Sequence, residues 1–221
     1  MSRPRVTLKL ATSLDGRIAT SAGESRWITG EAARAEVHKM RAAHDAVMIG
    51  AETARRDNPS LLARTEPPPS EQPIRVVVTN RLDIPLEGKL FEALDRSPLV
   101  VFARERAAPA RHAVLEGAGA RVESAPALGE GLDLGAVLAR LGERGVREVF
   151  AEGGGRVAAS LIEADLVDRL EWFRAPLVLG AAGKPAIADV AYADLANAPR
   201  WRRLALRELG SDLWESYERA R

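Results

Sequence analysis

The stretch VREVFAEGGGRVAASLIEA, residues 146–164, decides the fold. Val146 to Ala151 has the apolar, β-branched make-up of a buried strand, and Val157 to Ala164 carries a helical pattern. Glu152-Gly153-Gly154-Gly155 is the loop between them. A strand that hands over to a helix through such a loop is the building step of an α/β fold. The glycines let backbone approach a ligand closely, and the helix start offers N–H groups and a positive dipole end, together a cradle for pyrophosphate. The run is neither the fingerprint G-x-G-x-x-G nor a Walker loop, because the Lys-Ser/Thr pair is absent. A tight turn that merely brings helix against strand would use the same glycines.

The same alternation extends upstream. Val6–Ala11, Ala46–Gly50, Ile74–Thr79, Leu99–Phe102 and Ala120–Val122 read as strands. Helical patterns lie over Thr29–Ala43, with Thr29 as its cap, and over Glu52–Arg56, Ala110–Glu116 and Leu134–Leu141. The short helix should stop near Asp57-Asn58, since the residue before Pro59 is pushed out of the α region. Glu66–Pro73 is a proline-stiffened loop. Downstream, Leu170–Ala175, Arg203–Leu209 and Leu213–Tyr217 read as antiparallel strands. The expectation is one α/β domain over 1–221: a mixed, mainly parallel sheet flanked by helices, with antiparallel C-terminal strands.

Composition removes several function classes. Lys+Arg 32 against Asp+Glu 31 leaves a net charge of +1, without the basic excess of a nucleic-acid binder. The absence of cysteine excludes disulfides, thiolate nucleophiles and Cys-ligated metals. His38, His44 and His112 are too few for a multi-histidine metal site. No apolar run reaches the ~18–20 residues of a membrane span, and no signal-peptide core follows Met1. A cytoplasmic protein is expected.

Two other stretches carry chemical groups. In the first strand Lys9 and Ala11 share one face; a lysine among apolar neighbours is costly to bury without a ligand or ion pair, although an edge-strand lysine facing solvent fits equally. Asp15-Gly16 is a turn signal, and Trp27, just before a helix, suits packing or ring stacking. In TARRDNPSLLAR, residues 53–64, Thr53 and Asp57 are spaced to meet on one helical face. Arg64, with Arg41 at the end of the preceding helix, could clamp a phosphate; solvated surface arginines are the plainer alternative.

Taken together, K-L-A-x-S-L-D-G from Lys9, E-S-x-W-I-T from Glu24, the T-x-x-x-D-x-P-x-L-x-x-R run from Thr53 and E-G-G-G before a helix resemble one family. They look like the pyrimidine reductase domain of the bacterial riboflavin biosynthesis deaminase–reductase, and the resemblance spans Val6 to Tyr217. It implies a dihydrofolate-reductase-like fold, a homodimer, and reduction of 5-amino-6-(5-phospho-ribosylamino)uracil to its ribitylamino product by NADPH, without a metal. By the same resemblance the cofactor contacts fall on Ala11, Trp27, Thr53, Asp57, Asn80, Gly154, Gly155, Arg156, Val157, Ala158, Ala159 and Ser160. Substrate contacts fall on Ser25, Arg41, Leu61, Arg64 and Glu152. Lys9, Asp57 and Glu152 form the acid–base set, with acid and base unassigned among them. The 2′-phosphate of NADPH needs positive charge, which Arg81 or Arg104 would supply.

The sequence departs from the family pattern in two ways. Bacterial members usually carry an N-terminal zinc deaminase domain with H-x-E and P-C-x-x-C motifs; this sequence has no cysteine, so a stand-alone reductase is expected, with deamination done elsewhere or a different pyrimidine as substrate. Arg156 also stands where a small or hydroxyl-bearing residue is expected. Two other readings share these residues: a same-fold reductase of the undeaminated diaminopyrimidinone or of dihydrofolate, and a non-catalytic nucleotide-binding module.

Overall fold

Strands covered on both faces show no polar alternation. Ala46–Gly50 is buried along its whole length, and Leu99–Arg104 along all but its last residue. The computed structural model describes residues 3–105, 107–188 and 190–220. In chain order the first elements are β1 (Arg5–Thr12), β2 (Arg17–Ala19), α1 (Glu31–Ala42), β3 (Ala46–Gly50), α2 (Ala51–Asp57), β4 (Ile74–Thr79), β5 (Leu99–Arg104), α3 (Pro109–Gly117) and β6 (Arg121–Ala125). Then come β7 (Ala127–Leu128), β8 (Gly131–Leu132), α4 (Leu134–Glu143), β9 (Glu148–Ala151), α5 (Gly155–Glu163), β10 (Arg169–Arg174), β11 (Lys184–Pro185), β12 (Trp201–Leu209) and β13 (Asp212–Arg219). Nine of the strands make one mixed, mainly parallel sheet, as the sequence pattern anticipates. The chain divides into two compact units, one from the described residues of 1–5 and 38–150, the other from those of 6–37 and 151–221.

In the first unit β3, β4, β5 and β6 run parallel in sequence order, with Met48 beside Val76, Val77 beside Val101 and Val101 beside Val122. α4 buries Leu134, Val137, Leu138 and Leu141, and is capped by the Asp133 carboxylate accepting from Ala136 N at 3.0 Å. Asp45 accepts from the backbone N–H of both Arg147 (2.7 Å) and Glu148 (2.9 Å), which aligns the start of β9. Arg75 is fully buried in β4. Its Nε donates to Ser97 O at 3.0 Å and its Nη1 to Lys89 O at 3.3 Å, while burial lowers its pKa.

In the second unit β1 and β10 pair in parallel, β10 and β13 antiparallel, and β13 and β12 antiparallel. α5 buries Val157, Ala158, Ala159, Leu161 and Ile162. The Asp168 carboxylate accepts from Val6 N at 2.8 Å and fixes the register at the start of β1.

Three local expectations need correction. The sequence pattern reads 170–175 as an antiparallel strand; β10 is parallel to β1 on one side and antiparallel to β13 only on the other. α1 begins at Glu31, and its cap is Gly30 rather than Thr29. Gly30 O accepts from Arg34 N at 3.2 Å, and Gly30 N is held by Asp212 Oδ2 at 2.6 Å. The short ribbons β2–β11 and β7–β8 had no counterpart in the sequence pattern. Among the described residues no helix is long and apolar enough to cross a membrane.

Candidate active site

The second unit carries the strand-borne lysine and the glycine-rich turn. Lys9 and Ala11 are half-buried, while Leu8, Leu10 and Thr12 between and beside them are buried, so the two do share a face of β1. The Lys9 ammonium lies 6.0 Å from the centroid of the Phe173 ring, which stacks on Trp214 at 5.9 Å with 6° between planes. Beside them Glu171 is buried, 3% exposed, and its carboxylate accepts from Arg169 Nε, from Trp214 Nε1 at 2.6 Å and from Ser216 Oγ at 3.1 Å.

Glu152 is half-buried at the end of β9, and α5 starts directly beyond it with Gly154 as N-cap. Two of the three glycines answer to the chain's own packing. A Cβ on Gly153 would lie 2.6 Å from Val157 Cβ, and one on Gly155 would lie 2.6 Å from Pro185 O. The first brings helix against strand, and the second lets residues 185–188 lie on the helix start, where Ala188 N donates to Gly155 O at 3.1 Å. No side chain caps α5. Val157, Ala158 and Ala159 are buried, Ser160 is half-buried and Arg156 is exposed, so this segment offers a ligand backbone N–H groups and one guanidinium.

Asp15 does more than mark a turn. Its carboxylate accepts from Ser13 Oγ at 2.6 Å, Leu179 N at 3.1 Å and Gly180 N at 2.7 Å. The Ser13 hydroxyl first, and then the backbone donors, hold its pKa down at about 2. Ala186 N donates to Gly16 O at 3.0 Å, so the Asp15-Gly16 turn and the start of α5 grip the same 177–188 segment. Ser25 is half-buried; Trp27 is 70% exposed, with the Arg34 guanidinium 4.4 Å over its ring.

The first unit holds the remaining candidates. Thr53 and Asp57 are half-buried one turn apart on α2, which ends as expected at Asp57, with Asn58 left-handed at φ 42°. Asn80 is exposed and donates from Nδ2 to Glu130 O at 2.8 Å. Arg104 Nη2 donates to Gly129 O at 3.3 Å and Gly131 O at 3.4 Å, which ties this guanidinium to the β7–β8 turn, whereas Arg81 is exposed. Arg41 and the segment bearing Leu61 and Arg64 are brought together, since Arg41 Nη1 donates to Leu62 O at 3.2 Å. Leu61 is left-handed at φ 58° with its side chain 1% exposed, and Arg64 is exposed.

Sequence reasoning missed three side chains that anchor these segments: Asp15, Gln72, and His38, whose Nδ1 accepts from Arg64 N at 3.2 Å. His38 precedes Arg41 by three residues and so lies on the same helical face, a signal that was legible. Gln72 reaches back across a proline-rich loop to Ala63, and no local pattern announces such a contact.

Residues 4–214 match the family model described as the RibD C-terminal domain. The riboflavin biosynthesis protein RibD of Bacillus amyloliquefaciens is 31% identical over 211 residues, 95% of this chain and 56% of that protein. This chain thus spans about half the length of the curated relatives it matches. A solved Thermotoga maritima structure, described as a diaminohydroxyphosphoribosylaminopyrimidine deaminase/5-amino-6-(5-phosphoribosylamino)uracil reductase, superposes with a TM-score of 0.79 at 28% identity, covering 99% of this chain and 57% of that one. Dihydrofolate reductase from Enterococcus faecalis superposes with a TM-score of 0.52 at 15% identity, covering 98% of this chain and 97% of that one. The fold is therefore of the dihydrofolate-reductase type.

Proposed function

Because the chain belongs to the RibD C-terminal domain family, we propose that it is an NADPH-dependent reductase acting on 5-amino-6-(5-phospho-ribosylamino)uracil and yielding the 5-phospho-ribitylamino product. The observation that carries the reading is the family match over residues 4–214, within which every motif of the sequence argument falls. Similarity to the Thermotoga maritima protein, whose description includes this reductase, supports it.

The residues present fit the cofactor. The first turn of α5 has no capping side chain and has the exposed Arg156 beside it, a donor set suited to a pyrophosphate. In this reading Ala11, Trp27, Thr53, Asp57, Asn80 and Gly154–Ser160 hold the dinucleotide. Ser25, Arg41, Leu61, Arg64 and Glu152 hold the substrate, with the two arginines on its phosphate. When bound, NADPH supplies a hydride. The protein's own task begins with opening the ribose, which needs a proton moved at the ring oxygen and leaves a C=N bond at the anomeric carbon. Reduction of that carbon by such a hydride would turn the C=N into CH–NH, with the nitrogen taking a proton that the protein must supply. Lys9, Asp57 and Glu152 are the groups we assign to these proton movements and to orienting the opened sugar.

Loss of absorbance at 340 nm as NADPH is oxidised tests the assignment. Turnover is expected with the deaminated phosphoribosylaminouracil. Oxidation only with the undeaminated diaminopyrimidinone, only with dihydrofolate, or with none of the three would overturn it.

A further inference from the structure

His38 and Arg41 project from one face of α1 toward a segment that has no regular structure of its own. Residues 61–64 lie between α2 and β4 without a helix or strand ladder, so their backbone must be placed by side chains. Leu61 is left-handed at φ 58° and its side chain is buried. Leu62 O accepts from Arg41 Nη1 at 3.2 Å. Ala63 is clamped from both sides by Gln72, whose Oε1 accepts from Ala63 N at 2.8 Å and whose Nε2 donates to Ala63 O at 2.9 Å. Arg64 N donates to His38 Nδ1 at 3.2 Å. The last contact fixes the tautomer, because Nδ1 must offer a lone pair and the proton of the neutral ring sits on Nε2.

We infer that His38 is a positioning residue for phosphate recognition, holding the Arg64 backbone so that its guanidinium meets the sugar phosphate already aimed. This rests on the proposed assignment of Arg41 and Arg64 to that phosphate. Arg41 has two tasks in this arrangement, since the side chain assigned to the ligand also ties down Leu62. His38 has no role in the hydride or proton steps. Its loss should therefore weaken capture of a phosphorylated ligand and leave turnover of bound substrate alone.

The test compares wild type, His38→Leu, His38→Asn and Arg64→Ala in the full chain. Calorimetric binding of ribose 5-phosphate is measured beside KM and kcat. Leucine cannot accept from Arg64 N, whereas an asparagine Oδ1 can take the place of Nδ1. His38→Leu should raise the Kd for ribose 5-phosphate and the KM for the phosphorylated substrate roughly 3–10-fold, at unchanged kcat. His38→Asn should stay within about twofold of wild type, and neither variant should alter binding of the dephosphorylated substrate. If Arg64→Ala weakens ribose 5-phosphate while His38→Leu does not, the inference fails and the phosphate assignment stands. The inference also fails if His38→Leu lowers kcat, or if His38→Asn is as impaired as leucine. If Arg64→Ala changes nothing, the phosphate assignment fails and takes the inference with it.

Discussion

Lys9 of β1 and Glu171 of β10 stand side by side in register on a parallel strand pair. Register partners project to the same face, so Lys9, which we assign to proton movement, has a buried carboxylate as its neighbour. That carboxylate is committed to Arg169, Trp214 and Ser216. Glu171→Leu takes the acceptor away from the Trp214 indole N–H, the Ser216 hydroxyl proton and the Arg169 guanidinium together and should destabilise the protein by about 3 kcal/mol. Glu171→Gln keeps an acceptor and should cost less. Urea denaturation measures both, and a leucine cost below about 1 kcal/mol would mean that the cluster is solvated.

Glu152 directly follows β9, at its carboxyl end and before the helix start, and carboxyl ends of strands are where open α/β sheets place reacting ligands. Glu152→Gln should lower kcat/KM at least ~10-fold with NADPH affinity intact. A loss that follows weaker NADPH binding would make Glu152 a loop residue.

Arg104 is tied to the β7–β8 turn and Arg81 is exposed, which leaves Arg81 as the better placed of the two for the 2′-phosphate. Arg81→Glu should weaken NADPH far more than NADH, with the wild type preferring NADPH. Equal wild-type affinities, from fluorescence titration, would remove the assignment.

Asp15 should titrate at about 2 by carboxyl carbon NMR, against the ordinary value of 3.8. Its folded pKa is the lower one, so its grip on residues 179–180 is fully present above pH 3.8 and is lost as pH falls toward 2. Amide exchange at Leu179 and Gly180 should therefore rise in Asp15→Ala at neutral pH. Unchanged exchange there would show that the segment is held by other contacts.

The strands of the first unit are legible because Ala46–Gly50 and Ile74–Thr79 are rich in β-branched residues and are short, with Arg75 the one charged residue in either run. Strand direction was less so: the alternation in residues 169–174 marks two faces but not whether the neighbour runs with or against it. The start of α1 was misplaced because the carboxylate that holds Gly30 comes from Asp212, far along the chain. The glycine loop is legible in the sequence, but its glycines suit a phosphate cradle and a packing turn alike, and only the contacts of Gly153 with Val157 and of Gly155 with Pro185 show the packing role. Arg41 and Arg64 were paired by type alone; the side chains that bring their segments together lie at His38 and Gln72.

The pairing of β1 with β10 sets an order of events on the ribosome. Within this chain β1 precedes every other strand, and Thr7 must wait for Arg169, its register partner. At roughly 5–20 residues per second, that separation is on the order of ten to thirty seconds of translation. β3 to β6 meet their partners one after another as they emerge. Val6, Leu8 and Leu10 therefore travel unpaired on the nascent chain while later strands settle. Aggregation during expression should thus respond to polar changes in β1 more than to equal changes in β5, and a holdase chaperone would find its target at β1.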